Sequence, residues 1–423
     1  MNKPMHIHII AVGGIGTSAL AQYYKAKGHI VSGSDASASD ITVFLKSQGI
    51  RVQIGHNAEN VRGADLVIHS AAVKPGNVEY DAATADRIPT KLYAEALGEI
   101  TNDYTLIAIS GSHGKSTTTS MVAKIMIEAG LDPTVIVGTK MHELNGNNFR
   151  MGQSEFFVLE ADDYNRHFHN YHPTISVVTN VDREHLDIYN DIDGVKQAFC
   201  KYLENTRSGG TIIANGQDAN TIDVIKNTDL LKHRVILYNE ADLARHELGV
   251  PGEHNQSNAE AAYWVAEVLG IKKESIISSL RGFRGSWRRL EEIIEGVYSD
   301  YAHHPTEIKA TLKALKDANP EKTLVCIFQP HQRDRLSKLF SEFVDCFESA
   351  DELYLIPLYA VKGRDDAEGK SSEQLAGMIQ GPKTKYEGNF DKAFEIAKTK
   401  FDDKHIVVFM GAGDIDEQLR AKI

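Results

Sequence analysis

Cysteine is scarce in this chain: three residues in 423, Cys200, Cys326 and Cys346. An odd count without metal-ligand spacing excludes a disulfide framework and a thiolate zinc site, and fits reduced core cysteines of a cytosolic protein. No apolar run approaches the roughly 18 residues a membrane span needs, and the first residues lack a signal peptide's charged-then-apolar layout. A cytoplasmic protein without a membrane partner is therefore expected. Basic excess is missing too. The net charge of −12 excludes a general nucleic-acid footprint, although local Lys, Arg and helix ends can still bind anionic substrates. Repeats and low-complexity tracts are absent. What is present is ordinary globular composition, 42% hydrophobic and 25% charged, with enough length for two or three domains at about 150 residues each.

Short apolar runs alternate with helical patterns in three successive segments, the signature of parallel sheets with crossover helices. The fold expected is α/β, with three consecutive doubly wound domains: Rossmann-like, P-loop ATPase-like and Rossmann-like. Polar Thr101-Asn-Asp103 and Arg281-Gly-Phe-Arg-Gly-Ser286 suggest joints near 102 and 291, giving domains 1–102, 103–291 and 292–423. The pattern predicts helices over 18–27, 117–129, 306–317, 333–349, 372–378 and 390–399. Ligands are expected in clefts between modules.

The most informative stretch is Ile107-Ala-Ile-Ser-Gly-Ser-His-Gly-Lys-Ser-Thr-Thr-Thr119. A strand ending in a glycine loop and opening into a helix gathers backbone N–H groups into one concavity, with the positive helix end behind it. Lys115 can neutralise terminal phosphate charge, and the Ser116 hydroxyl can ligate the Mg²⁺ that accompanies a nucleoside triphosphate. The spacing is two residues shorter than the general P-loop pattern, but the context is right. The segment is read as an ATP site comprising Gly111, Ser112, His113, Gly114, Lys115, Ser116 and Thr117.

Other clusters fall at strand ends. Ala11-Val-Gly-Gly-Ile-Gly16 with Asp35 nineteen residues on is close to a dinucleotide turn, although Ala11 replaces its first glycine. Phe156-Phe-Val-Leu-Glu160-Ala-Asp-Asp163 offers Glu160 as a Mg²⁺ carboxylate, with Asp162 and Asp163 read as a solvated loop. His185, just past the run Ile175–Thr179, is a candidate for a second divalent cation. Asn255 and Asn258, one helical turn apart, either read an adenine edge or cap their helix. Ser299-Asp-Tyr-Ala-His-His-Pro305 and Phe328-Gln-Pro-His-Gln-Arg-Asp-Arg335 end two more strands, and Arg333 and Arg335 could capture a carboxylate.

Together these motifs resemble the Mur ligases, the ATP-dependent amino-acid-adding enzymes of peptidoglycan synthesis, over essentially the whole chain. Gly13-Gly-Ile-Gly-Thr-Ser18, Gly-Ser-Asp35, Ser70-Ala-Ala and Asp300-Tyr-Ala-His-His-Pro-Thr-Glu307 look most like the members that join L-alanine to UDP-N-acetylmuramate. The resemblance implies a UDP-sugar site at Gly14, Ile15, Gly16, Thr17 and Ser18, with Asp35, Ser70 and Glu95. It implies Mg-ATP on Lys115, Ser116, Glu160 and His185, with two cations, and with Asn255, Arg289 and Asp300 also on the nucleotide. Tyr301, His303, His331 and Arg335 would line the amino-acid site, His331 and Arg335 being counted with the catalytic group. The implied chemistry is activation of the lactyl carboxylate as an acyl phosphate, then attack by the amine. Closure of the third module would keep water out.

Four departures stand against the family pattern. Ser116 replaces the usual Thr, Gln332 stands where the L-alanine-adding members carry Arg, and the segment from Asn239 to Val250 is short. The loop Tyr359-Ala-Val-Lys-Gly-Arg364 also differs from the family form. Three rival readings use the same motifs: a recycling ligase that adds a whole tripeptide, a nicotinamide-dependent dehydrogenase built on the N-terminal glycine turn, and a non-catalytic nucleotide-sensing scaffold. The sequence leaves the oligomeric state open.

Overall fold

The computed structural model describes residues 3–239, 248–360 and 369–423. They fall into two compact units, Met1–Ala244 with Asn258–Leu280, and Arg245–Ser257 with Arg281–Ile423.

The first unit contains two sheets. One has five parallel strands, β1 (His6–Ile10), β2 (Ile30–Asp35), β3 (Arg51–Ile54), β4 (Leu66–His69) and β5 (Thr90–Leu92), ordered β3-β2-β1-β4-β5. Chain order reverses between β1 and β4, which opens a crevice at their carboxyl ends. Strand alternation sends Ile7 and Ile9 into one core cluster with Ala19, Leu20 and Tyr23 of the helix Ile15–Ala26. Ile10 packs on the opposite face with Val61, Val67 and Ala83.

The second sheet has seven strands: β6 (Thr105–Ser110), β7 (Thr134–Met141), β8 (Asn147–Arg150), β9 (Phe156–Glu160), β10 (Ile175–Val178), β11 (Thr211–Asn215) and β12 (Arg234–Tyr238). Their order is β12-β11-β10-β6-β9-β7-β8, parallel except for the β7–β8 pair. The central strand β6 lies between β10 and β9, so the loop that follows it opens beside both of their carboxyl ends.

The second unit carries one sheet of β13 (Glu291–Ile294), β14 (Val297–Asp300), β15 (Thr323–Phe328), β16 (Glu352–Leu355), β17 (Lys383–Tyr386) and β18 (His405–Met410). It runs β13-β14-β18-β15-β16-β17, with only β13 antiparallel. All three sheets are thus parallel-rich and flanked by helices, the α/β class expected.

Several boundaries differ from the sequence pattern for local reasons. The first helix begins at Ile15 rather than Ser18, because Gly14 is still extended (ψ 149°) and hands over at the next residue. The nucleotide-loop helix is Lys115–Glu128 and not 117–129, so Lys115 and Ser116 belong to its first turn. The helix expected over 333–349 breaks into Arg333–Lys338 and Phe340–Asp345, parted by the non-helical Leu339 (φ −110°, ψ 27°). The short segment after Asn239 and the loop after Ala360 lie mostly outside the described residues.

Candidate functional site

The loop after β6 is built for close approach. Gly111 (φ +143°) and Gly114 (φ +82°) both take conformations that side chains rarely adopt, and a Cβ on either would strike a neighbour: Thr179 for Gly111, Asn258 for Gly114. The residues after β10 hold the loop's shape. Ser112 N–H donates to the Asn180 carbonyl at 3.0 Å, and His113 N–H to Asn180 Oδ1 at 2.9 Å. Thr179 Oγ1 donates to the His113 carbonyl at 2.5 Å, and His113 Nε2 lies 3.0 Å from Asp182 Oδ2. The helix Lys115–Glu128 then starts with its first N–H groups free of intrahelical partners, an anion-binding end. Thr117 is buried in that first turn.

Lys115 turns back over this loop. Its Nζ donates to the Gly111 carbonyl at 2.6 Å, the Ser112 carbonyl at 3.1 Å and Asp163 Oδ1 at 2.8 Å. Burial works against its charge, but the fields of Asp163, Asp162 and Glu160 prevail and hold its pKa above the ordinary lysine value. Ser116 Oγ donates to Glu160 Oε1 at 2.9 Å, while Gly138 N–H donates to Oε2 at 2.7 Å. The strand end of β9 and the helix start after β6 are thus tied through the two groups expected to share a cation.

Asp163 corrects the reading of a solvated acidic loop: its side chain is 1% exposed and ion-paired with Lys115. Asp162 bonds His167 (3.2 Å), and although burial opposes its charge, this contact and the fields of His185 and Lys115 hold its pKa down. His185 has φ +52°, and its ring meets Tyr164 with centroids 5.0 Å apart. Potential ligand atoms of Asp162, Asp163 and His185 lie within 4.8 Å of one another, and Asp163 Oδ2 is buried with no hydrogen-bond partner among the described residues. Hydroxyl, carboxylate and imidazole donors, with one oxygen unspent, fit hard divalent cations.

In the five-stranded sheet, the candidate sugar residues gather at the β1/β4 reversal, but many of their side chains already serve the turn. Gly13 N–H donates to Asp35 Oδ2 at 2.9 Å. Thr17 Oγ1 donates to the Ala11 carbonyl (2.7 Å) and Ser18 Oγ to that of Ile15 (2.8 Å). Backbone N–H groups at Ile15 and Gly16 therefore remain the natural anion ligands. Ser70, just past β4, accepts from Ala72 N–H at 3.3 Å. Glu95 accepts from Leu92 N–H at 2.8 Å and so caps its own helix, Tyr93–Thr101.

In the second unit, Asn255 donates to the Pro251 carbonyl at 2.7 Å from within the first turn of its helix. Asn258, of the first unit, accepts from Thr118 Oγ1 at 3.2 Å. Asp300 is buried, which raises its pKa, and accepts from Leu290 N–H (2.7 Å) and Ala302 N–H (2.8 Å). The Arg289 guanidinium stands over the Tyr301 ring at 5.0 Å. From Tyr301 a row of rings runs through His303 and His331 to Tyr359, at 5.1, 5.9 and 5.7 Å between centroids. Arg335 Nη1 is 3.5 Å from His331 Nδ1. Gln332 sits between them with φ +66°. Sequence reasoning passed over Arg288, which is buried and donates to the Gly411 and Gly413 carbonyls at 2.6 and 3.0 Å, joining the turn after β18 to the segment before β13. Two adjacent arginines were the signal available for it.

Comparison with known proteins agrees across the chain. Three family models match in order: "Mur ligase family, catalytic domain" over residues 6–105, "Mur ligase middle domain" over 109–248, and "Mur ligase, glutamate ligase domain" over 288–413. A UDP-N-acetylmuramate–L-alanine ligase of Caldanaerobacter subterraneus is 37% identical over 99% of this chain and 97% of its own. One of Aquifex aeolicus is 38% identical over 97% and 95%. The crystal structure of a UDP-N-acetylmuramate–alanine ligase from Thermotoga maritima superposes with a TM-score of 0.82 at 26% identity, covering 99% of this chain and 98% of that one. A murein peptide ligase from Psychrobacter arcticus shares the fold (TM-score 0.72, 22% identity, 99% and 98% covered). With its strand-end residues in place and its full length matched, the chain belongs to the Mur ligase family.

Proposed function

We propose that this protein joins L-alanine to the lactyl carboxylate of UDP-N-acetylmuramate, with ATP converted to ADP and phosphate, in peptidoglycan synthesis. The observation that carries this reading is the convergence of Lys115, Ser116, Glu160, Asp163 and His185 on the loop that ends the central strand of the seven-stranded sheet. The relatives' printed names supply the substrates. We assign 1–102 to the sugar nucleotide, 103–291 to ATP and 292–423 to the amino acid, and place the enzyme in the cytoplasm; among the described residues no helix is long and apolar enough to cross a membrane.

A carboxylate is a poor electrophile. In the first step its oxygen attacks the terminal phosphorus of ATP, the bond to ADP breaks, and an acyl phosphate forms. The amine of L-alanine then attacks the acyl carbon, phosphate departs with the bonding pair, and the nitrogen loses a proton. Backbone N–H groups of Gly114, Lys115 and Ser116 bind the phosphates, while those of Ser112 and His113 hold the loop on Asn180, and Lys115 offsets charge on the phosphoryl group as it transfers. Ser116 and Glu160 would hold one Mg²⁺ and His185 a second; when bound, these ions neutralise phosphate charge. Gly14–Ser18, Asp35, Ser70 and Glu95 are assigned to the sugar nucleotide, and Asn255, Arg289 and Asp300 to ATP. Arg335, with His331, His303 and Tyr301, is assigned to the amino acid, whose carboxylate suits a guanidinium.

The test is ADP release with UDP-N-acetylmuramate and Mg-ATP against L-alanine, glycine, L-serine and the tripeptide. The highest kcat/KM is expected for L-alanine. Turnover with the tripeptide alone would make the chain a recycling ligase instead, an outcome to which Gln332 in place of the usual Arg gives particular interest.

A further inference from the structure

We infer that Tyr93, which none of the motifs includes, is a binding residue for the sugar nucleotide, its phenol donating a hydrogen bond to an anionic oxygen of that substrate. The inference rests on the reading proposed above. Tyr93 is the first residue of the helix Tyr93–Thr101, directly after β5. The hydroxyl end of its ring meets the glycine turn: a Cβ on Gly16 would stand 2.8 Å from the ring's Cζ and 2.9 Å from its hydroxyl oxygen. Gly16 is the second residue of the helix Ile15–Ala26, where the backbone N–H groups suited to a diphosphate emerge. The phenol is therefore placed at the mouth of that anion site.

The charges around it argue for a donor. Burial raises the phenol's pKa, and the carboxylates of Asp162 and Glu160 push it further the same way, so the O–H keeps its proton at any working pH. Those two carboxylates belong to the end of β9 and the turn beyond it, on the nucleotide side of the same unit. Tyr93 thus touches the turn that would hold the diphosphate and lies within the field of the carboxylates that would serve the phosphoryl group. Among the described residues no hydrogen bond engages the Tyr93 hydroxyl, and the residue is only half-buried, so the donor is available to a ligand. Two anionic groups of one substrate can meet it, the diphosphate and the lactyl carboxylate, and both present the same acceptor chemistry.

The experiment uses the full chain and Tyr93→Phe, which keeps the ring on Gly16 and removes only the hydroxyl. The expected result is a KM for UDP-N-acetylmuramate raised roughly ten- to a hundred-fold, as for loss of a hydrogen bond to a charged group. The KM for ATP and the melting temperature should stay at wild-type values. Binding of UDP alone, measured by calorimetry, distinguishes the sources: equal weakening for UDP assigns the bond to the diphosphate, and weakening only with the full sugar nucleotide assigns it to the carboxylate. Gly16→Ala, which forces the ring aside with its hydroxyl intact, should raise the same KM. A Tyr93→Phe enzyme within twofold of wild type for the sugar nucleotide, or with both KM values raised alike, overturns the inference. A wild-type chain that turns over no UDP-N-acetylmuramate would instead remove the reading beneath it.

Discussion

Glu79 offers the sharpest test of how the first sheet is held together. Its carboxylate is fully buried, yet it sits beneath a parallel sheet where an uncompensated charge would be costly. Burial by itself would raise its pKa. His8, Ser34, Asn60 and the Asn57 N–H reverse that and bring the value down to about 2 from an ordinary 4.5. The partners are close: Asn57 N–H at 3.1 Å, Asn60 Nδ2 at 2.5 Å, His56 Nδ1 at 3.3 Å and His8 Nε2 at 3.5 Å, with the Ser34 hydroxyl also donating. At 1.36 kcal/mol per pKa unit the depression is worth roughly 3 kcal/mol. Because the folded pKa lies below the unfolded one, that stability is present above pH 4.5 and is lost as pH falls from there toward 2. Hydrogen exchange against denaturant, read by mass spectrometry on peptides from β1 and β2, measures it locally. Wild type should lose most of this increment between pH 5 and 2.5, corrected for intrinsic exchange, and Glu79→Gln should lose it at pH 7 and show a flatter pH dependence. A Glu79→Gln variant with the wild-type pH slope would refute the assignment.

Two further outcomes follow from buried geometry. Lys115→Met leaves Asp163 buried without its cation, so it should cost about 3–5 kcal/mol in denaturant unfolding besides abolishing ADP release, and adding Asp163→Asn should restore much of the stability and none of the activity; a loss below about 1 kcal/mol would mean the pair carries no compensation. Ala11 holds φ +61° in the turn after β1, so Ala11→Gly should be neutral or stabilising by up to about 1 kcal/mol, since relief of the left-handed strain opposes glycine's entropy; a melting temperature lowered by several degrees would contradict this.

What the sequence made legible is what has a short-range signal. The strands β4, β6, β9, β15 and β18 are continuous apolar runs, the pattern that marks a buried strand. Arg51–Ile54, Thr90–Leu92, Asn147–Arg150, Glu291–Ile294 and Lys383–Tyr386 lack that pattern, because all five are edge strands whose charged or amide side chains interrupt the apolar run. The nucleotide loop was legible because its chemistry lies in six consecutive residues. Asp163, Glu79 and Tyr93 were illegible for one common reason. Each is a polar group whose meaning depends on a partner far along the chain: Lys115 at 48 residues, Ser34 at 45, Gly16 at 77. An acid beside another acid reads as solvated until a lysine is found over it. A tyrosine at a helix start reads as packing until a glycine is found beneath it. Glycine without a side chain is what lets that ring approach, so the turn that the sequence displays most openly also creates the contact it conceals. Residues with this dependence are where function remains to be found in a chain whose motifs are already read.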